Sequence, residues 1–378
     1  MREVTVFVGG SVGSDPYSPG TWSGSSAFLL NAMKNADLLD KAVGIRLPKL
    51  QNYALLAKNF TRNRAVWRKH FYFDRAYRKA LTNAAKAVPA TSPVLLQIDH
   101  MFSLPTAFPG RRCVSYLDGN LAELVASGFG TEGVSRRRID QALECEIDVA
   151  QKMTAIFTFS EYLRHSFIRN YSIAPERVHN IGGGINLTDL PEPAHNKDYR
   201  GSRILFIGSE FTRKGGPQLL QAFRIVRQSI PSAELHIVGP AQNSSQLSDL
   251  PPGAFAHGHL TKNDPAQRLR LESLFRDATL FALPSLYEPF GIEPLEAMLY
   301  QLPAVVTNAW ALREFVTPGV NGDLVEKGSV EDLATKLTQL LSSPDRLAAM
   351  GQRGRELVLS RYTWPSVVDR MAEVIRKL

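Results

Sequence analysis

Cysteine is nearly missing from this chain of 378 residues: only Cys113 and Cys145 occur. They lie far apart and lack metal-ligand spacing, which excludes a disulfide scaffold and a cysteine zinc site and makes a reducing cytosol the default. Each thiol reads best as a small buried hydrophobe. Long apolar runs are also lacking, none approaching the ~20 residues that a membrane span requires. The N-terminus offers no substitute, because Glu3 stands beside the very short apolar stretch Val4–Val8, which makes a poor signal peptide and a good first strand. There is no internal repeat and no low-complexity tract, so solenoid and disordered classes drop out.

What remains is the composition of a soluble globular protein, 44% hydrophobic and 21% charged. The length exceeds one compact core and implies two domains. Short apolar runs alternate with helix-like stretches throughout, the pattern of parallel α/β layers. In the first half the runs are 4–8, 42–45, 94–98, 113–117, 155–159 and 178–181. In the second they are 204–207, 234–238, 255–257, 280–283, 304–307 and 323–325. Two such sets predict two doubly wound domains. The polar, proline-bearing stretch 186–202 is the expected divider. The tail from Tyr362 reads as one amphipathic helix with Pro365 near its start.

The net charge of +8 is uneven, with 23 Lys and Arg against 17 Asp and Glu in residues 1–195. Much of the excess lies in residues 58–79. On a helix there, Phe60, Trp67 and Phe71 fall on one line, beside a stripe of Arg64, Arg68, Arg75 and Lys79. Basic charge beside aromatics suits an anionic membrane face, and an ordinary surface helix with inward aromatics is the alternative. Nucleic acid would want the same charge, but no stacking platform or recognised module accompanies it, so no nucleic-acid partner is expected.

The most informative stretch is Pro284–Met298. The buried-type strand 279–283 runs into a loop with Glu288, Pro289 and Gly291, then a short amphipathic segment with Glu293, Pro294 and Glu296. Carboxylates gathered where a parallel strand ends mark the usual place for polar chemistry in α/β proteins. Pro294 suits a first helical position, which predicts Glu293 near the N-cap and Glu296 in the first turn. A glutamate in a first turn can equally be a capping or dipole residue.

Glu288 and Glu296, with seven residues between them around Phe290–Gly291, resemble the E-x7-E signature of retaining GT-B glycosyltransferases, and most of all glycosyltransferase family 4. Other segments extend the resemblance in order. Phe206–Gly208 followed by Arg213–Lys214–Gly215 is similar to that family's strand and phosphate-binding loop. Leu235–Gly239 is similar to its next strand, Phe157–Glu161 and Arg177–Asn186 to the end of its first domain, and Glu314–Val316 with Asn321–Val325 to its closing elements.

The resemblance implies an α/β GT-B fold: two Rossmann-like domains with an inter-domain cleft and a C-terminal helix crossing back to the first. The expected division is 1–188 with 363–378 on the acceptor side, and 189–362 binding the nucleotide sugar. The implied reaction is retaining transfer of a hexosyl group from a nucleoside-diphosphate sugar to a glycan or lipid-linked acceptor, in the cytoplasm or on the inner membrane face. No Asp-x-Asp motif follows a strand, so no metal and no further cofactor are expected. Arg213, Lys214 and Gly24 would hold the donor phosphates. Glu296 would bind the ribose, the backbone around Phe290, Gly291 and Ile292 would hold the transferred sugar, and Glu288 would be catalytic, contacting that sugar's hydroxyls and stabilising the transition state rather than attacking. Gly239, Pro240 and Leu260 would line the base. Tyr116–Gly119 stands where many members carry a histidine, so Asp118 is a catalytic candidate and His100 an acceptor-side one. A non-catalytic scaffold or membrane-binding subunit, or a nucleotide-sugar epimerase, is the alternative reading.

Overall fold

The structure, a computed structural model, describes residues 3–193 and 197–378, apart from the side chains of Ala65 and Arg68. Arg2, linker residues 194–196 and the Arg68 member of the basic stripe therefore lie outside the described residues. The chain divides into two compact units, Met1–Gly184 with Trp364–Leu378, and Ile185–Thr363. The first break falls just ahead of Asn186.

The first unit holds β1 (Val4–Val8), β2 (Leu39–Gly44), β3 (Val94–Ile98), β4 (Arg112–Leu117), β5 (Ala155–Thr158) and β6 (Val178–Asn180). They form one sheet in the order β2-β1-β3-β4-β5-β6. The second unit holds β7 (Arg203–Ile207), β8 (Glu234–Val238), β9 (Ala254–Ala256), β10 (Leu280–Leu283), β11 (Ala304–Thr307) and β12 (Gly322–Val325), in the order β12-β11-β10-β7-β8-β9. Pairing between these strands is parallel. Two doubly wound α/β units are thus present, as the alternation of apolar runs predicts. The runs were legible because parallel strands are covered on both faces and read as continuous Val, Ile, Leu and Phe. β1, β3 and β10 are buried along their whole length.

Each sheet has a switch point where the chain reverses its direction of winding, between β1 and β3 in the first unit and between β7 and β10 in the second. Loops diverge there, leaving a crevice at the carboxyl ends of the strands.

The tail helix Trp364–Ile375 belongs to the first unit and packs on the helix Ser25–Asn35. Its Trp364 ring occupies the space a side chain at residue 184 would need, 2.4 Å from an added Cβ, which explains Gly184. Arg370 Nε donates to the Ile181 carbonyl at 2.8 Å.

The basic stretch 58–79 is not one helix. It breaks into Arg64–Tyr72 and Arg75–Lys86, because Asp74 caps the second by accepting from the amides of Ala76 and Tyr77 at 2.6 and 3.2 Å. Phe71 is buried in the core of the first unit, and the Trp67 indole donates to the Leu56 carbonyl at 2.8 Å. Of the three aromatics only Phe60 stays exposed, so of the two readings of this stretch the inward-facing aromatics hold for Trp67 and Phe71.

Candidate active site

In the second unit the loop after β7 carries Arg213 and Lys214, and the loop after β10 carries Glu288. A backbone bond from the Leu286 amide to the Arg213 carbonyl, 2.8 Å, ties the two loops together across the switch point. Gly215 makes this approach possible. Its φ is +75°, and an added Cβ would sit 1.9 Å from the Pro284 carbonyl oxygen, so no other residue fits. The helix Gly216–Ser229 starts immediately after it, with Pro217 in its first turn.

Lys214 is buried, and its ammonium donates to Glu293 Oε1 at 2.5 Å and stands 3.3 Å from Glu288 Oε2. Arg213 lies 3.5 Å from the same Glu288 oxygen, donates to the Tyr287 carbonyl at 2.6 Å, and forks onto Glu210. Ser285 Oγ donates to Glu288 Oε2 at 3.3 Å, and Thr307 holds the Ser285 carbonyl at 2.7 Å. Burial pushes the Lys214 pKa down, but Glu288 and Glu293 outweigh it and hold the ammonium above its ordinary value. Burial likewise pushes Glu293 up, and Lys214 overrides it, leaving that carboxyl below its usual range. The result is a cluster of basic and acidic groups, with Lys214 and Glu288 buried and Arg213 and Glu293 half-buried around them.

The helix after Glu288 runs Ile292–Leu299, with Gly291 as a left-handed N-cap at φ +88°. It therefore begins two residues earlier than the proline at 294 suggested. Pro294 is tolerated in third place because first-turn N–H groups have no intrahelical acceptor anyway. The shift makes Glu293, not Glu296, the acid of the first turn. Glu293 is thus a site residue that the sequence reading left without a role, and its position just past a strand-end loop was the available signal. Glu296 lies further along the same helix, buried, its carboxyl raised by burial and hydrogen-bonded by Lys262. Lys262, which also donates to the Asn186 carbonyl at 3.2 Å, had no sequence signal.

The remaining second-unit candidates are close by or turned inward. Gly239, at φ +132°, ends β8 against the Gly208 carbonyl, 2.3 Å from an added Cβ, so β8 meets the Lys214 loop directly. Pro240 is buried and Leu260 half-buried. The Phe290 ring packs 5.9 Å from Phe315 and 6.3 Å from Tyr362, which leaves backbone rather than side chain for any ligand. Ile292 is the first residue of its helix.

In the first unit the switch point carries a different set. Ser11, after β1, donates to Asp99, after β3. Asp99 has a left-handed φ of +71°, imposed by Gln97, whose amide donates to the Asp99 and Phe102 carbonyls at 2.7 and 2.9 Å. Asp118, after β4, accepts from the Trp22 indole, and burial raises its carboxyl, as it does that of Asp99. Trp22, Ser23 and Gly24 all have positive φ, 49°, 54° and 89°, and Gly24 N-caps the helix Ser25–Asn35. His100 is enclosed: its ring stands edge-on to Phe167 at 5.7 Å, neither ring nitrogen has a partner, and burial pulls its pKa down to about 3. It is part of the interior rather than a group presented to a ligand. Among the described residues no three His, Cys, Asp or Glu side chains are grouped as a metal site.

Residues 191–357 match the family of glycosyl transferases group 1. This segment is thus similar to the group 1 glycosyltransferases. The match lies inside the second unit, where Arg213, Lys214, Glu288 and Glu296 stand. Relatives agree with it. The chain is 28% identical over 242 residues to an MMP alpha-(1->4)-mannosyltransferase of Mycolicibacterium hassiacum, covering 62% of this chain and 57% of that one. It is 29% identical over 245 residues to a D-inositol 3-phosphate glycosyltransferase of Thermobispora bispora, covering 60% and 56%. These matches span somewhat over half the length of the relatives. Among solved structures, sucrose-phosphate synthase of Thermosynechococcus elongatus superposes with a TM-score of 0.71 at 17% identity, covering 100% of this chain and 99% of that one. HepE of Anabaena, in complex with UDP and glucose, gives 0.67 at 17% identity with both chains covered in full. By these structural likenesses, the two doubly wound units are those of the GT-B fold.

Proposed function

We propose that the chain is a retaining glycosyltransferase that moves a hexosyl group from a nucleoside-diphosphate sugar to a glycan or lipid-linked acceptor without a divalent ion. The observation that carries this is the pair of half-buried Arg213 and buried Lys214 beside Glu288, at the switch point of the segment that matches the group 1 family. Cleaving a glycosyl phosphate bond leaves negative charge on a diphosphate, and a dry site must neutralise it. A cation ~4 Å from a phosphate oxygen interacts by roughly 4 kcal/mol at an effective dielectric near 20. In this reading the phosphate oxygens take over the positions on Lys214 and Arg213 that Glu293 and Glu288 occupy, helped by first-turn amides of the helix Gly216–Ser229.

Glu288 then faces the transferred sugar and stabilises its oxocarbenium-like transition state. The acceptor hydroxyl attacks the anomeric carbon from the side the diphosphate leaves, the carbon–oxygen bond to phosphate breaks, and the departing phosphate oxygen takes the hydroxyl proton. Glu296 accepts from the ribose hydroxyls once Lys262 yields, and Gly239, Pro240 and Leu260 meet the base. In the first unit, Gly24 serves the phosphates, and Asp118 is the candidate for a sugar hydroxyl. Two of the relatives support the substrate class by name, one a mannosyltransferase and one a glycosyltransferase acting on D-inositol 3-phosphate.

A thermal-shift panel of UDP-, GDP- and ADP-sugars tests the donor. Ligand at a hundred times its Kd adds about 2.7 kcal/mol, a shift of several degrees. Turnover with the selected donor is then assayed in chelator, with and without candidate acceptors. Stabilisation by no nucleotide sugar overturns the reading, as does a strict need for manganese or magnesium. Conversion of the donor without any acceptor would favour an epimerase.

A further inference from the structure

The helix Lys49–Lys58, in the first unit, has no buried residue. Its inner side is Leu55 and Leu56, half-buried against the core. Its outer side is apolar as well. At about 100° per residue, Leu50, Tyr53, Ala54 and Ala57 share an arc of about 100°, with Lys49 on one flank and Lys58 on the other. All four face solvent, Leu50 at 85% and Tyr53 at 64% exposure, and Phe60, just past the helix, adds a ring at 64%. An i, i+3, i+4, i+7 stripe normally marks the side a helix buries. Here that side is left open.

Along the chain the charge here has one sign, although Arg46, Lys58 and Lys69 reach Asp15, Asp74 and Glu132 from other segments. From Lys41 to Phe73 the chain has no Asp or Glu and eight Lys or Arg. Lys49, Arg62 and Arg64 are exposed. Among the described residues no helix is long and apolar enough to cross a bilayer, so contact would be with its surface.

We propose that the outer face of the helix Lys49–Lys58, with Phe60, docks on an anionic lipid bilayer, Leu50 and Tyr53 entering the headgroup boundary while the flanking cations meet lipid phosphates. A protein partner would not require thirty-three residues without an acid, whereas a negatively charged plane attracts every cation that faces it, at about 1 kcal/mol each. Tyrosine suits this depth, with an apolar ring and a hydroxyl that stays wet. The surface differs from the Trp67–Phe71 stripe that the sequence suggested, and it does not depend on the transfer reaction.

The test is co-sedimentation of the full chain with vesicles of phosphatidylcholine alone, or of phosphatidylcholine and phosphatidylglycerol in equal parts. Binding to the anionic vesicles should exceed binding to the neutral ones at least tenfold and weaken with salt. Replacing Leu50→Ser and Tyr53→Ser together should lower the partition coefficient by about tenfold or more, with an unchanged unfolding midpoint, since both side chains lie on the surface. As a second measurement, Tyr53→Trp should show blue-shifted emission on adding anionic vesicles and none with neutral ones. Equal binding to both vesicle types, an unaffected double variant, or an unshifted tryptophan overturns the proposal. So does a concentration-dependent dimer that the double variant abolishes, because the occupant would then be a second copy of this chain. Nucleotide-sugar stabilisation is measured in parallel without vesicles, so a failure of the transferase reading stays separate from a failure of this one.

Discussion

The two units solve the same topological problem with opposite electrostatics. Both wind parallel sheets whose switch points open at the carboxyl ends of central strands, and both fill that opening with polar side chains. In the second unit the filling is cations paired with glutamates: Lys214 between Glu288 and Glu293, Arg213 between Glu210 and Glu288. In the first unit burial raises the carboxyls of Asp99 and Asp118, and His100 is enclosed without a partner. A cluster with a buried lysine and a half-buried arginine can exchange carboxylate for phosphate. A cluster of carboxyls whose charged form burial disfavours is suited to hydroxyls. The fold supplies the crevice, and the side chains decide what charge it accepts.

The sharpest way to break that contrast is Lys214→Met. If the second unit is organised around an anion, catalytic efficiency should fall about a thousandfold, as loss of roughly 4 kcal/mol of transition-state stabilisation requires. Stability should fall too, by about 3–5 kcal/mol in urea unfolding, because Glu288 and Glu293 lose their partner inside the protein. Adding Glu293→Gln should restore much of the stability and none of the activity. Recovery of both would mean that Lys214 serves the fold alone. The pH dependence has a definite sign: Glu293 is depressed below its unfolded 4.5, so its contribution is present above that value and is lost as pH falls through the folded pKa. The raised Lys214 contributes below 10.5 and loses that contribution as pH rises through its folded pKa.

A smaller and more selective effect is expected for Glu288→Gln. The amide keeps the Ser285 bond but not the charge, so turnover should drop about a hundredfold, with nucleotide affinity in calorimetry nearly unchanged. Parallel loss of affinity and turnover would make Glu288 a structural counter-ion for Lys214.

Much of the framework is legible in the sequence. Twelve apolar runs became twelve strands, because burial on both sheet faces leaves a run of Val, Ile, Leu and Phe that turns cannot mimic. Lys214 and Glu288 were visible because a strand end, a glycine and a charge fell together. Other features were hidden for identifiable reasons. Pro294 pointed to a helix start, but proline is allowed anywhere in a first turn, and the left-handed Gly291 set the true beginning. Whether Trp67 and Phe71 faced solvent or the core stayed open, because wheel geometry gives a face and not its direction, and Asp74 broke the helix that the wheel assumed. Lys262 sits on a loop whose sequence says nothing of the bond it makes to Glu296.

The first unit offers the finest test of the contrast, through Glu146 and His100. Glu146 is buried, accepts from the Leu121 amide at 3.0 Å and the Tyr171 hydroxyl at 2.9 Å, and burial raises it from 4.5 to about 7. Arg78 and Asp99 are the charges nearest in effect. A carboxyl raised in the folded state costs stability as pH climbs from 4.5 to about 7, whereas His100, lowered from 6.5 to about 3, costs stability as pH falls below 6.5. Each slope is about 1.4 kcal/mol per pH unit, and between 4.5 and 6.5 they oppose one another. Glu146→Gln keeps both hydrogen bonds and removes one slope, so the variant should gain stability with rising pH across that window, relative to the parent, by about 1.4 kcal/mol per unit. All other titrating groups are common to both proteins and cancel in the difference. Urea unfolding at several pH values reads it directly. Parallel curves would show that Glu146 is ionised in the native state, and the first unit would then hold charge in its interior much as the second does.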